Sequence, residues 1–130
     1  MEERDRAGRT ELHYAALEDD LTRAMALITA GADLDDADRE GFTPLHFAAQ
    51  QHAVAVARLL IESGAKVDPV NKHGNTPLWT AVFNSKGDSE LVKLLRKAGA
   101  DPNHANAAGR TPAQLARLMG TPDVVRFFAD

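Results

Sequence analysis

Residues 41–50 read GFTPLHFAAQ, and the phrase returns three more times. GRTELHYAAL begins at Gly8, GNTPLWTAVF at Gly74 and GRTPAQLARL at Gly109. The threonines of the phrase, Thr10, Thr43, Thr76 and Thr111, stand 33, 33 and 35 residues apart. A fixed period of that length marks a chain made of stacked copies of one unit, each too small to bury its apolar face alone.

One period, residues 38–70, shows the plan. DREG is a turn, with Gly41 in the conformation that branched residues resist. Thr43 caps a helix, and Pro44 suits its first position, where no N–H is needed. PLHFAAQQ then reads as a short inner helix, with Ala48 and Ala49 small enough for a neighbour to approach. His52 and Ala53 turn the chain into a second helix, VAVARLLIES. Its apolar set is Val54, Val56, Ala57, Leu59, Leu60 and Ile61, and Gly64 ends it. The nine glycines all fall at turns, helix ends or breaks. Local signals and one global plan agree, as expected of a real repeat fold.

These residues make the chain resemble an ankyrin-repeat protein, from Asp5 to Asp130. TPLHFAA with LLIESGAKVD in phase is the strongest match, and TELHYAA and TPLWTAV follow it closely. The resemblance implies an all-α solenoid of stacked helix pairs with projecting β-turn fingers. A single domain is expected, with repeats at about 5–37, 38–70, 71–105 and 106–130. Two departures stand out: two extra residues near Ser85 and Lys86, and Gln114 where the family usually has histidine. The longer loop is an irregular surface feature, a common place for function. The end repeats should carry polar outer faces, and EERDR (residues 2–6), Arg23 and Thr29 suit one end. At the other, Phe127 and Phe128 are expected to pack on Leu94, Leu95 and Leu115.

Composition narrows the function. A net charge of −4 gives no bulk basic field for nucleic acid, which stays only a distant alternative supported by the basic residues of the turns. The chain has no cysteine, which excludes disulfides, zinc thiolates and cysteine nucleophiles and suits a reducing, cytoplasmic setting. The charged opening MEERDRAGRT has no apolar h-region of a signal peptide, and the apolar runs are too short to span a bilayer.

No catalytic constellation emerges. Ser63, Ser85 and Ser89 lie outside any G-x-S-x-G elbow, and no glycine cluster forms a phosphate-cradling loop. His13 and His46 share one repeat position, where the resemblance implies a bond to the neighbouring turn. His52, His73 and His104 have no i, i+4 histidine partner, so no metal, cofactor or small-molecule substrate is expected. DLDDADREG fails as a calcium loop: twelve positions from Asp33 or Asp35 stand Pro44 or His46, where a glutamate is required. It reads as a solvated acidic turn.

Resemblance implies a protein partner, held by the fingers and inner-helix ends. The residues two before each turn glycine are Arg6, Arg39, Lys72 and Ala107, and those one before it are Ala7, Glu40, His73 and Ala108. Those after it are Arg9, Phe42, Asn75 and Arg110. The helix ends offer Leu17, Gln50, Phe83 and Leu118, followed by Glu18, Gln51, Asn84 and Met119. From these the expected site is Arg6, Arg9, Arg39, Phe42, Gln50, Lys72, His73, Trp79, Phe83 and Arg110. The arginines and Lys72 form a basic edge that would steer an acidic surface, or they are the ordinary charges of exposed turns. Trp79, in the usual histidine place, shares a helix face with Phe83. Phe42 and Phe83 are expected to be exposed; for Trp79, core packing and interface contact both remain open. The short, Ala- and Arg-rich, cysteine-free composition looks bacterial. Small bacterial ankyrin proteins include immunity proteins that neutralise a cognate toxin, and this chain is similar in size and acidity; a scaffold or adaptor is the competing role.

Overall fold

Each copy of the phrase opens a helix at its threonine. In the computed structural model, which describes residues 4–128, α1 (Glu11–Leu17) pairs with α2 (Leu21–Thr29) and α3 (Pro44–Gln50) with α4 (Val54–Glu62). Next come α5 (Pro77–Phe83) with α6 (Glu90–Lys97), and α7 (Pro112–Met119) with α8 (Pro122–Val125), which runs into a 3-10 turn at Arg126–Phe128. No strand occurs among the described residues, and none of their helices is long and apolar enough to cross a membrane. Of the residues expected at the polar ends, Glu2 and Glu3 lie outside the described residues, as do Ala129 and Asp130 of the last repeat.

The cap is reciprocal, with histidine in a role often held by glutamate. Thr43 is extended, its N–H donates to His46 Nδ1 at 3.1 Å, and its Oγ1 accepts from the His46 N–H at 3.4 Å. Thr10 donates likewise to His13 Nδ1 at 3.0 Å, and Thr111 to Gln114 Oε1 at 2.9 Å. Because Nδ1 accepts, the ring proton of each histidine sits on Nε2. From there His13 donates to the Phe42 carbonyl and His46 to the Asn75 carbonyl, both at 2.9 Å. Each imidazole thus ties one repeat to the next, the structural role the resemblance implied. Burial pushes both pKa values down, that of His46 to about 4. Trp79 breaks the series. It keeps only the bond from its N–H to Thr76 Oγ1, so the last junction lacks the imidazole tie.

The fingers are built by Asp5, Asp38, Asn71 and Asn106, each three residues before the turn glycine. Their side-chain oxygens accept two backbone N–H groups apiece, from Glu40 and Phe42 in the second finger. This corrects the expectation of a solvated acidic turn. Asp38 is 7% exposed, because the turn needs its carboxylate inward, and its other oxygen meets Arg9 Nε at 3.2 Å. Successive fingers also bond edge to edge. The N–H of Arg39 donates to the Ala7 carbonyl, Lys72 to Glu40 and Ala107 to His73, at 2.8, 2.8 and 2.9 Å.

Between the pairs runs one apolar core. Leu12, Leu45 and Leu78 fill it from the inner helices, and Leu60, Leu91 and Leu95 from the outer ones. In α4, Val56, Ala57 and Leu60 are buried, whereas Val54, Leu59 and Ile61 are half-buried. Ala16, Ala49 and Val82, one residue before the inner-helix ends, are fully buried. The same repeat position in α7 holds Arg117, which is exposed. At the other end Arg23 stands where α4 buries Val56, and it pairs with Glu11 and Glu18 at 3.5 and 3.3 Å. Both outer repeats thus carry an arginine at a position where an inner repeat buries an apolar residue, the polar outer face expected of end repeats. Phe128 is buried in the cluster of Leu95 and Leu115, and Phe127 and Leu94 pack on its edge.

Candidate partner-binding face

The expected residues divide into two groups. A groove of about 250 Å³ runs between the second and third repeats and brings together Phe42, Gln50, His73, Trp79 and Phe83. Asn75 and Asn84 supply amides beside them. Fingers place Phe42 and His73, and the inner helices α3 and α5 place Gln50, Trp79 and Phe83. Arg6, Arg9, Arg39, Lys72 and Arg110 stay outside this groove.

Phe83 is 61% exposed, as expected, at the end of α5. Phe42 is not, and its exposure is a correction. Its N–H is held by Asp38 and its carbonyl by His13. That backbone lays the ring onto α3, stacked on Phe47 with centroids 5.3 Å apart and edge-on to His46 at 5.6 Å. One half-exposed edge remains for the groove. Trp79 is half-buried against the core and also lines the groove.

The basic edge is partly neutralised. Lys72 Nζ pairs with Glu40 at 2.9 Å. Arg9 is committed to Asp38, and its guanidinium lies 4.8 Å over the Phe47 ring. Arg6, Arg39 and Arg110 are exposed and make no ion pair among the described residues.

Leu118 and Met119 belong to the exposed face and were not among the expected site residues. Leu118 is 70% exposed. It stands nine residues after its turn glycine, as Phe83 does after Gly74, and that shared offset was the available signal. The apolar part of the inner-helix edge thus lies in the last two repeats, whereas the second repeat offers Gln50.

Since Phe83 lies mostly in water, Phe83→Ser is expected to change folding stability by less than about 0.5 kcal/mol. Phe47→Ala, emptying a buried site, should cost about 3 kcal/mol or more. Urea unfolding of both variants checks the contrast.

The inserted loop is packed rather than loose. Ser85 is buried, and its Oγ has no hydrogen-bond partner among the described residues. His52 Nε2 lies 3.2 Å from Asp88 Oδ2, at ion-pair distance but out of hydrogen-bond alignment. Asp88 itself accepts the Glu90 N–H at the start of α6. No group of three or more His, Asp or Glu side chains suited to a metal occurs among the described residues.

A family model described as ankyrin repeats (3 copies) matches residues 12–106, and one described as ankyrin repeats (many copies) matches residues 85–129. No curated protein matches the chain.

Proposed function

This chain belongs to the ankyrin-repeat family, and from that premise we propose that it binds another protein, without catalysis, through the groove at Phe42, Trp79 and Phe83. Ankyrin repeats are generally protein–protein interaction modules. The observation that carries the reading is the exposure of Phe83 at the rim of that groove. An aromatic ring in water adds little to folding, yet aromatic rings dominate interface energies. Gln50, His73, Asn75 and Asn84 supply a polar surround, which suits a mixed protein surface.

Affinity capture from the source organism's lysate tests it, with Phe83→Ser compared at unchanged circular dichroism. A specific protein should be held by wild type and bound about 30-fold more weakly by the variant, which corresponds to about 2 kcal/mol. A captured protein whose affinity ignores Phe83 would place the contact elsewhere.

The narrower form of the reading is that the partner is a toxin or enzyme domain silenced by binding, as an immunity protein silences its toxin. The net charge of −4 supports it, because an acidic chain is drawn to a basic cleft. Retained activity of the captured protein in the complex would instead mark a scaffold or adaptor. A cytoplasmic setting belongs to the same proposal and rests on the absence of cysteine.

A further inference from the structure

The tetrapeptide AGRT occurs twice, at residues 7–10 and 108–111. The first copy has an occupant: it receives the finger of the second repeat, DREG at residues 38–41. Three contacts hold that finger. Ala7 accepts the Arg39 N–H at 2.8 Å. Arg9 pairs with Asp38 at 3.2 Å. His13 donates to the Phe42 carbonyl at 2.9 Å.

The second copy offers the first two groups and a substitute for the third, with no occupant among the described residues. The Ala108 carbonyl accepts no hydrogen bond among the described residues, and the Arg110 guanidinium has no partner there. Gln114 stands in the place of His13. Its Oε1 caps Thr111 as His13 Nδ1 caps Thr10, which leaves Nε2 for an outside carbonyl. A Cβ built on Gly74 would meet Ala107 N at 2.8 Å, and one on Gly8 would meet Arg39 N at 3.1 Å. One on Gly109 would meet nothing within 4 Å among the described residues. The space is a cleft of about 400 Å³ lined by Gly109, Arg110, Gln114, Leu115 and Leu118.

We propose that this end face is a docking site for a β-turn of sequence Asp-x-x-Gly presented by a partner protein. The turn's first N–H after the aspartate would meet Ala108, its carboxylate Arg110, and the carbonyl after its glycine Gln114. The interface continues the finger-to-finger interface already inside the chain. A whole further helix pair fits poorly, because exposed Arg117 stands at the repeat position where Ala16, Ala49 and Val82 are fully buried. A second copy of this chain fits poorly for the same reason. Its leading face would also have to bury the Glu11–Arg23–Glu18 ion network. The site is separate from the groove at Phe83, so either surface can fail alone.

The test is an NMR titration of the isotopically labelled chain with a cyclic peptide carrying DREGFT, the sequence of the second finger. Amide shifts are expected at Gly109, Arg110 and Gln114, and Arg110→Ala should weaken binding about tenfold, as should alanine at the peptide's aspartate. Phe83→Ser should leave this binding unchanged. Absence of shifts at millimolar peptide would overturn the proposal, as would binding that ignores Arg110 or maps to the Phe83 groove. Concentration-dependent mass of the chain alone, abolished by Arg110→Ala, would assign the face to self-association and overturn it equally.

Discussion

Lowering the pH from about 7 to about 4 is expected to remove about 3 kcal/mol of folding free energy through His46 alone. The ring is buried and neutral, with its pKa pushed down to about 4 from 6.5. Burial is the largest cause, and the geometry agrees, because Nδ1 already accepts the Thr43 N–H and has no lone pair left for a proton. In the unfolded chain the same ring takes its proton near 6.5. Between those values the unfolded state binds more protons, so stability rises with pH. The contribution is complete above about 6.5 and drains away as pH falls toward about 4. His13 is shifted in the same direction and adds to the slope. For a chain of this size the loss corresponds to about 10 °C in melting temperature. The control is His46→Gln, since the fourth repeat already uses Gln114 there, with the same bond from the cap N–H. The variant should be about 1 kcal/mol less stable at neutral pH, having lost the ring contact with Phe42, yet its acid slope should be shallower. Melting curves across this pH range decide the matter. A wild-type slope in His46→Gln would show that another group carries the acid sensitivity.

Gly74→Ala should be among the most damaging single-methyl changes in the chain. Gly74 has φ 75°, and its missing Cβ would lie 2.8 Å from Ala107 N and 3.1 Å from Asn106 Cα. Both are backbone atoms, and neither can swing aside. The cost combines left-handed strain with overpacking, about 3 kcal/mol together. Gly109→Ala separates the two effects. Its φ is 78°, but nothing stands within 4 Å, so only strain remains, about 1 kcal/mol. The location sharpens the result. The junction beneath Gly74 already lacks the imidazole tie, because Trp79 replaces the histidine. It is held instead by the Asn106 Nδ2 donation to Asn75 Oδ1 at 2.9 Å and the Ala107 N–H donation to His73 at 2.9 Å. In a stack stabilised by nearest-neighbour contacts, loosening one junction frees the units beyond it. Hydrogen exchange should therefore speed up across residues 106–128 in Gly74→Ala and stay slow in α3 and α4. Uniform loss of protection would mean that the stack unfolds as one body.

The sequence made some of this legible and hid the rest for identifiable reasons. Thr43, Pro44 and Gly41 act through their own backbone, and the period repeats that chemistry, so the helices and turns could be read directly. Asp38 was missed because it sits in an acidic run, where one inward carboxylate looks like its solvated neighbours. The clue was the spacing: Asp5, Asp38, Asn71 and Asn106 all precede their glycine by three residues. Phe42 was misjudged because its direction depends on two bonds from other segments, Asp38 to its N–H and His13 to its carbonyl. Gln50, His73, Trp79 and Phe83 meet in one groove as their positions suggested. The basic residues do not, since Arg9 and Lys72 find carboxylates on the neighbouring second finger, Asp38 and Glu40.

Trp79 is the chain's single tryptophan, and it lines the groove beside Phe83. Excitation near 295 nm, roughly where tryptophan alone absorbs, therefore interrogates one place on the surface. The indole is half in water, so covering the groove would dehydrate it and move its emission toward the blue. Optically, the molecule arrives already labelled at its candidate contact.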